Sequence, residues 1–244
     1  MQTVLFHETI FVLIHSRRLG VSLGVNLSPR DGKVCTFDCL YCEAGLNAQG
    51  AGSSGLPSRE EVRILLEAKL KTMKENGEQL DVITFSGNGE PTVHPDFEGV
   101  VADTIALRDE YFPAVKISVL SNATMLDKES VCRALRLVDN NILKLDSAMT
   151  TTIKLIDCPV SPNFTAEKVI SQLADFGNQC VVQTMMLRGS YNGQRIDNTT
   201  EEEVTAWLSL IEKIAPRSVM VYSLDRDTPC QTIEKVEKQE LERI

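Results

Sequence analysis

Apolar residues along the chain fall into two alternating kinds of segment. Short, almost continuously apolar runs are typical of strands buried on both faces of a parallel sheet, and they occupy residues 21–27, 82–86, 115–120, 142–145, 180–187 and 218–223. Segments with apolar residues at helical spacing alternate with these runs, and we predict helices over residues 58–76, 96–108, 127–138, 165–176, 200–215 and 231–244. Strand–helix units repeated in this way predict an α/β fold with a parallel sheet.

The pattern alone leaves a barrel-like sheet and an open doubly wound sheet as alternatives, and six units suit an incomplete barrel. We therefore predict a partial (βα)6 TIM-like barrel. The 244 residues, of which 43% are hydrophobic, are enough to bury one large core. We expect a single domain over residues 1–244, with residues 1–20 as an N-terminal extension.

Charge and hydropathy narrow the range of partners. The formal net charge of -9 disfavours stable binding to nucleic acid, because each neutralised phosphate needs a positioned Lys or Arg. No signal peptide is evident, and the apolar run over residues 10–14 is far shorter than the ~20 residues that span a bilayer. We expect a soluble, cytoplasmic protein that does not enter a membrane.

Three of the seven cysteines, Cys35, Cys39 and Cys42, lie together in a C-x3-C-x2-C spacing after the first predicted strand. Clustered cysteines in a chain without export signals are more often metal ligands than disulfides. A structural zinc site normally needs a fourth ligand, and neither His15 nor His94 stands at zinc-like spacing. Three cysteines on an iron–sulfur cluster instead leave one iron open to a ligand. A structural zinc module remains the alternative.

Polar residues and glycines follow several predicted strands at their carboxyl ends, where sites gather in such folds. The second strand ends in Gly87-Asn88-Gly89-Glu90, and glycines let the backbone approach a ligand closely. The third, fourth and fifth strands contribute Asn122, Asp146, Ser147, Gln183 and Met185. We predict that these nine residues bind a cofactor.

The cysteine spacing with Tyr41 before the last cysteine resembles the radical S-adenosylmethionine superfamily. This resemblance implies that Cys35, Cys39 and Cys42 hold a 4Fe-4S cluster whose open iron is chelated by S-adenosylmethionine. Reduction then cleaves the cofactor to methionine and a 5′-deoxyadenosyl radical. The strand end resembles the Gly-Gly-Glu motif of that superfamily, which receives the cofactor's amino group, with Asn88 where the first glycine is usual.

A narrower resemblance runs from about residue 14 to residue 226 and rests on HSRRLG, SLGVN, the cysteine loop and FSGNGEPTVHPDF. These segments are similar to the Fe-S oxidoreductase branch that resembles wyosine-type tRNA-modifying enzymes. The resemblance implies an electron donor such as a flavodoxin or ferredoxin, and it suggests that relatives continue past Ile244. An open barrel favours a macromolecular substrate. The alternatives are tRNA-base modification, activation of a glycyl-radical enzyme, and electron transfer without S-adenosylmethionine.

The remaining polar and sulfur-containing residues carry weaker signals. Arg17 and Arg18 are candidates to grip a phosphate, with a salt bridge as the alternative. We expect His94 to make a structural hydrogen bond at a helix entry. Two other cysteines, Cys158 and Cys230, neighbour prolines in predicted loops and are candidates to approach the site.

Overall fold

The structure is a computed structural model that describes residues 4–16 and 20–244. Their strands are β1 (Ile10–Ser16), β2 (Gly20–Val25), β3 (Val82–Phe85), β4 (Lys116–Ser121), β5 (Asn140–Lys144), β6 (Cys180–Met185), β7 (Leu187–Tyr191), β8 (Gln194–Asp197), β9 (Ser218–Tyr222) and β10 (Ile233–Lys235). Their helices are α1 (Arg59–Glu75), α2 (Phe97–Tyr111), α3 (Glu129–Leu137), α4 (Thr150–Ile156), α5 (Ala166–Ala174), α6 (Glu201–Ile214) and α7 (Lys238–Leu241). None of the helices in this part of the chain is long and apolar enough to cross a bilayer.

The main sheet has seven strands in the order β1-β2-β3-β4-β5-β6-β9. The last six are parallel to one another, and β1 is antiparallel to β2 at one edge. Within the described ranges β1 and β9 remain the two edges, so the sheet is not closed. The prediction of a partial (βα)6 TIM-like barrel is confirmed, and β1 adds a strand that was not predicted within the N-terminal extension.

Helices cover the main sheet because their apolar faces match its buried strands. In α1, the side chain of Ser58 accepts a hydrogen bond from the Glu61 backbone N–H at the first turn, which caps the helix. The same helix buries Leu66 and Leu70. At the centre of the sheet, Phe85 of β3 is fully buried and packs edge-on against Phe97 of α2. This core holds the carboxyl ends of the strands in fixed positions.

The predicted helix over residues 231–244 is wrong, because these residues begin with β10 and end with the short helix α7. Ile233 pairs with Gly189 of β7 in a second sheet of order β10-β7-β8. Ile233 and Val236 are both buried, and their spacing of three residues imitates a helical pattern. Pairing with a distant strand decided the conformation. The strands β7 and β8 and the helix α4 were also not predicted.

Candidate active site

The cysteine loop lies directly beside the glycine-rich end of β3. Val34, just ahead of Cys35, forms a parallel bridge with Gly89, in which the Val34 N–H donates to the Asn88 carbonyl over 3.2 Å. The Glu90 N–H in turn donates to the Val34 carbonyl over 3.0 Å. A Cβ atom at Gly89 would lie 1.9 Å from the Val34 oxygen. Glycine is therefore required for the two segments to meet.

On its other side the cysteine loop is bound to the segment that follows α4. The Asp38 N–H donates to the Asp157 carbonyl over 2.9 Å, and the Leu40 N–H donates to the Ile156 carbonyl over 2.9 Å. The Cys230 N–H also donates to the Leu40 carbonyl over 3.2 Å. Three segments that are distant in sequence therefore hold the backbone of the cysteine loop.

Cys35, Cys39 and Cys42 are free cysteines, and all three line one cavity of about 180 Å³ at the carboxyl ends of the parallel strands. The other lining residues are Lys33, Phe37, Tyr41, Gly87, Gly89, Glu90, Leu120, Ser121, Asn122, Lys144, Gln183 and Tyr222. In residues 4–16 and 20–244, no three Cys, His, Asp or Glu side chains are arranged to hold a single metal ion. The cavity thus joins the cysteine loop to the ends of β3, β4, β5, β6 and β9.

Burial keeps two of these cysteines in their thiol form. Burial, followed by the nearby charge of Glu90, raises the pKa of Cys35 to about 11, and burial raises the pKa of Cys39 well above its usual value. Metal ligation needs thiolates, so binding of a metal centre must release these protons.

Glu90 ties the end of β3 to the end of β4. Its carboxylate is buried and accepts hydrogen bonds from the Ser121 hydroxyl over 2.8 Å and from the Asn122 backbone N–H over 2.7 Å. The backbone N–H of Thr92 donates to it as well, over 3.1 Å. Burial raises the pKa of Glu90 despite these hydrogen bonds. Both carboxylate oxygens are engaged within the protein, so Glu90 orients the strand ends.

Lys144, at the end of β5, is the centre of a buried polar cluster. Its Nζ atom lies 3.5 Å from the Cys39 sulfur, 3.5 Å from Asp157 and 3.6 Å from Asp146, and it also donates to the Tyr41 hydroxyl. Burial opposes the charged form, but the charge of Cys39 in its thiolate form and the charges of Asp146 and Asp157 outweigh it and hold the pKa of Lys144 well above its usual value. Burial, with the charge of Asp146, raises the pKa of Asp157 to about 7.

The structure brings some of the predicted cofactor-binding residues into the cavity and leaves others behind its wall. Those that line it are Gly87, Gly89, Glu90, Asn122 and Gln183, and those that do not are Asn88, Asp146, Ser147 and Met185.

The predicted residues behind the wall make contacts within the protein. The side-chain amide of Asn88 binds the Phe6 carbonyl over 2.9 Å and the Pro29 carbonyl over 2.9 Å. The hydroxyl of Ser147 donates to Glu203 over 2.6 Å. The carboxylate of Asp146 accepts from the Met185 backbone N–H over 2.8 Å and from the Tyr41 hydroxyl.

The sequence reasoning did not assign Lys33, Lys144 or Tyr222 to the site, although all three line the cavity. The sequence carried a signal for Lys144, because this lysine stands at the end of an apolar strand, two residues before the predicted site residue Asp146. Alternation along a strand places residues 144 and 146 on the same side. Tyr222 ends β9 and accepts a hydrogen bond from the Gln183 amide over 2.7 Å.

The remaining residues singled out from the sequence are Arg17, Arg18, His94, Cys158 and Cys230. Arg17 and Arg18 lie outside the described residues. His94 binds the Pro57 carbonyl through Nε2 over 2.8 Å, which is the kind of structural contact expected for it. Cys158 and Cys230 touch the cysteine loop through their backbones but do not line the cavity.

Three free cysteines and a glycine-lined strand end around one cavity of a partial barrel are features that fit a cluster and a small cofactor. Comparison with known families agrees. The family model described as "Radical SAM superfamily" matches residues 31–202, which is more than half of the chain. The chain belongs to this superfamily, whose members bind a 4Fe-4S cluster and S-adenosylmethionine, as the resemblance predicted.

Two individual relatives are less than 30% identical to this chain. The chain is 28% identical over 223 residues to a UPF0026 protein of Helicobacter pylori, covering 89% of this chain and 66% of that protein. It is 26% identical over 242 residues to a protein of Brachyspira hyodysenteriae named GTPase Obg, covering 97% of this chain and 33% of that protein. The chain thus spans one third to about two-thirds of these relatives. The GTPase name belongs to that protein, of which this chain matches only one third.

A solved structure of TYW1 with a lysine-pyruvate adduct bound has the same fold. It superposes with a TM-score of 0.61 at 14% identity, covering 91% of this chain and 70% of that chain. At this identity the similarity concerns the fold alone.

Proposed function

We propose that this chain cleaves S-adenosylmethionine reductively to methionine and a 5′-deoxyadenosyl radical, with Cys35, Cys39 and Cys42 as the ligands of its cluster. The observation that carries the proposal is the single cavity shared by the three free thiols and the glycines of the β3 end. Three soft sulfur donors suit an iron–sulfur cluster and leave one iron for a further ligand. The residues present therefore fit the cofactors of the superfamily.

The surrounding residues have complementary roles in this proposal. The backbone at Gly87 and Gly89 offers polar groups to the amino group of the cofactor, since neither residue has a side chain to block the approach. Asn122 and Gln183 line the cavity and contact the cofactor directly. Glu90 holds the strand ends together. Asp146, Ser147, Met185 and Asn88 support these groups from behind through their contacts within the protein.

The radical acts on a macromolecular substrate. This part of the proposal is supported by the main sheet, which stays open between β1 and β9 in the described part of the chain and so leaves lateral access to the cavity. Modification of a tRNA base is the specific reaction implied by the resemblance of the sequence motifs to wyosine-type tRNA-modifying enzymes, although the net charge of -9 weakens electrostatic attraction to RNA. A small electron donor such as a flavodoxin or ferredoxin reduces the cluster in the cytoplasm.

The first test is anaerobic reconstitution with iron and sulfide, followed by dithionite and S-adenosylmethionine, with 5′-deoxyadenosine measured by chromatography. We expect cleavage by the wild type and by Cys132→Ala, because Cys132 lies on α3 and does not line the cavity. We expect none from Cys39→Ala. A brown, reducible protein that neither binds nor cleaves S-adenosylmethionine would indicate electron transfer, and a colourless protein with stoichiometric zinc would indicate a structural module.

The substrate class is tested in the same assay by adding unfractionated tRNA or, separately, denatured protein. The 5′-deoxyadenosyl radical becomes 5′-deoxyadenosine by taking a hydrogen atom from the substrate, which is left as a radical, so tRNA should accelerate formation of 5′-deoxyadenosine and leave a modified base. No acceleration by tRNA together with acceleration by protein would replace RNA with a protein substrate.

A further inference from the structure

Two lysine side chains approach the cysteine loop from different elements and are almost removed from solvent. The side chain of Lys144 is 17% exposed, and that of Lys33 is 1% exposed. Lysine is rarely buried unless it has partners, because moving an ammonium group out of water is costly. Their position at a cavity lined by thiols therefore calls for a reason beyond packing.

The contacts of Lys144 include the sulfur atom of a proposed cluster ligand. Its Nζ atom lies 3.5 Å from the Cys39 sulfur, which is within hydrogen-bond distance for sulfur. Asp157 lies on the same sulfur, with its Oδ1 atom 3.2 Å away. The ammonium group of Lys144 also contacts this carboxylate at 3.5 Å. When Cys39 is a thiolate, Lys144 is thus the cation between two anions.

Lys33 acts from the opposite end of the cysteine loop. Its Nζ atom donates to the Gly45 carbonyl over 2.7 Å, just past Cys42, and to Asp38 over 3.3 Å, between Cys35 and Cys39. It therefore fastens both halves of the loop while bringing a positive charge to the cavity wall. It does not need to touch a sulfur atom to act on the cluster, since charges interact over several ångströms in a weakly polar interior.

We propose that Lys144 is a positioning residue that donates a hydrogen bond to the Cys39 thiolate of the cluster and raises the reduction potential of the cluster, with Lys33 adding to this effect through its charge. The inference rests on the proposed function, because it requires Cys39 to be a cluster ligand. Reduction adds one negative charge to the cluster, and an adjacent donor stabilises the reduced form more than the oxidised form. Hydrogen bonds to cluster sulfurs and nearby charges are established determinants of such potentials.

Lys144 has a stronger effect than Lys33 for a geometric reason. Removing Lys144 takes away the direct N–H···S contact and also leaves Asp157 facing the Cys39 thiolate without a cation. Removing Lys33 takes away only a charge, because the hydrogen bonds of its ammonium group go to Asp38 and to the Gly45 carbonyl and not to a cluster sulfur. The two substitutions should lower the potential to different extents.

The test is a redox titration of the reconstituted cluster monitored by electron paramagnetic resonance, without S-adenosylmethionine. For Lys144→Met, we expect the ratio of reduced to oxidised cluster at a fixed potential to fall about tenfold. This corresponds to a reduction potential that is lower by about 59 mV for a one-electron couple. Lys144→Gln keeps an N–H donor without the charge and should give a smaller shift. Lys33→Met should also give a smaller shift in the same direction.

A matched control separates this effect from a general loss of positive charge. Lys168 is 58% exposed, pairs with Asp127 and does not line the cluster cavity. Lys168→Met should leave the potential unchanged, because solvent screens a charge at that position.

Lys144→Met leaves two buried carboxylates without their cation and so carries a risk of misfolding. The double variant Lys144→Met with Asp157→Asn removes one charge of each sign and lacks the hydrogen bond from Lys144 to Cys39, while any hydrogen bond from the new amide to the Cys39 sulfur is shared with Asp157→Asn alone. It should fold and show a potential below that of Asp157→Asn alone. Equal potentials for these two variants would overturn the role of Lys144.

The outcomes distinguish the two proposals. If the wild-type protein holds no 4Fe-4S cluster by iron and sulfide content, the proposed function fails. If the cluster assembles and the potential of Lys144→Met equals that of the wild type and of Lys168→Met, the proposed function survives and this inference is overturned. A potential that rises in Lys144→Met also overturns it.

Discussion

The two ends of the parallel sheet carry aspartates in very different surroundings. At the amino ends, Asp81 accepts from the Val21 N–H over 2.8 Å and Asp139 accepts from the Ile117 N–H over 2.8 Å. Both carboxylates remain in contact with solvent, and Asp139 is 41% exposed. At the carboxyl ends, Asp146 and Asp157 are almost completely buried and share Lys144.

These two environments indicate which end of the sheet carries the chemistry. A partly exposed carboxylate that caps a strand N–H satisfies the backbone at little cost. A buried ion pair is weak evidence for stability, because desolvation of both charges can exceed their attraction. Charges retained in the interior next to three thiols therefore point to function, whereas those at the other end point to folding. Four substitutions test this contrast.

The largest effect should come from Gly89→Ala at the carboxyl end. The new Cβ would meet the Val34 carbonyl at 1.9 Å and push the cysteine loop away from β3. We expect this overpacking to cost about 3 kcal/mol in the loop geometry that binds the cluster, which corresponds to roughly 100-fold weaker cluster binding. Iron content after reconstitution measures this. Gly77→Ala is the control, since its φ of 65° brings backbone strain but its Cβ meets open space. Equal iron content in both variants would contradict the prediction.

At the amino ends, Asp139→Ala should destabilise the fold and spare the chemistry. It removes the acceptor of the Ile117 N–H and the 3.1 Å ion pair with Arg108. We expect a loss of about 2 kcal/mol in the free energy of unfolding, measured with urea, and unchanged cleavage of S-adenosylmethionine. Asp127→Ala, which breaks only an exposed pair with Lys168, should cost less than about 1 kcal/mol. A selective loss of cleavage in Asp139→Ala would break the comparison between the two ends.

Ser147→Ala sharpens the boundary of the site at the carboxyl end. The hydroxyl binds Glu203 over 2.6 Å and accepts from the Met149 N–H over 2.8 Å, so its loss should cost about 1 kcal/mol of stability. The dissociation constant for S-adenosylmethionine, measured by calorimetry on the reconstituted protein, should change less than about twofold. A tenfold weaker affinity would make Ser147 a direct contact, as the sequence predicts.

The smallest effect should be a gain in stability from Asn141→Leu. Both polar atoms of this buried side chain on β5 lack a hydrogen-bond partner in the described part of the chain. Replacing an unsatisfied buried amide by an apolar group of similar size should raise the free energy of unfolding by up to about 1 kcal/mol. Thermal unfolding of the reconstituted protein measures it. Destabilisation would reveal a polar partner, such as a bound water, that the amide needs.

Much of the fold was predictable because its strands are buried on both faces and their apolar runs are unambiguous. β3 and α1 lie within one residue of their predicted bounds. The errors fall where distant pairing overrides local pattern. Ile233 and Val236 have helical spacing, yet they belong to a strand and its flank because β7 is available as a partner.

The residues of the site likewise separate into those that have a local signal in the sequence and those that do not. Cys35, Cys39 and Cys42 were recognisable from spacing, since a loop ligand set is local in sequence. Lys144 and Asp157 were not assigned to it, because nothing near residue 144 indicates that Cys39 lies 105 positions away and yet in contact. Ser147 and Asn88 have the right residue types at strand ends, but their partners within the protein were not visible from sequence.

The alternation of strands and helices and the set of three thiols follow from the amino-acid sequence alone. These properties depend on residue type and spacing over a few positions. The packing of distant segments sets which charges share a buried space, that β10 forms in place of a helix, and which polar strand-end residues face the cavity. None of these is readable locally, because the cost of burying a charge depends on partners that the fold brings from other strands.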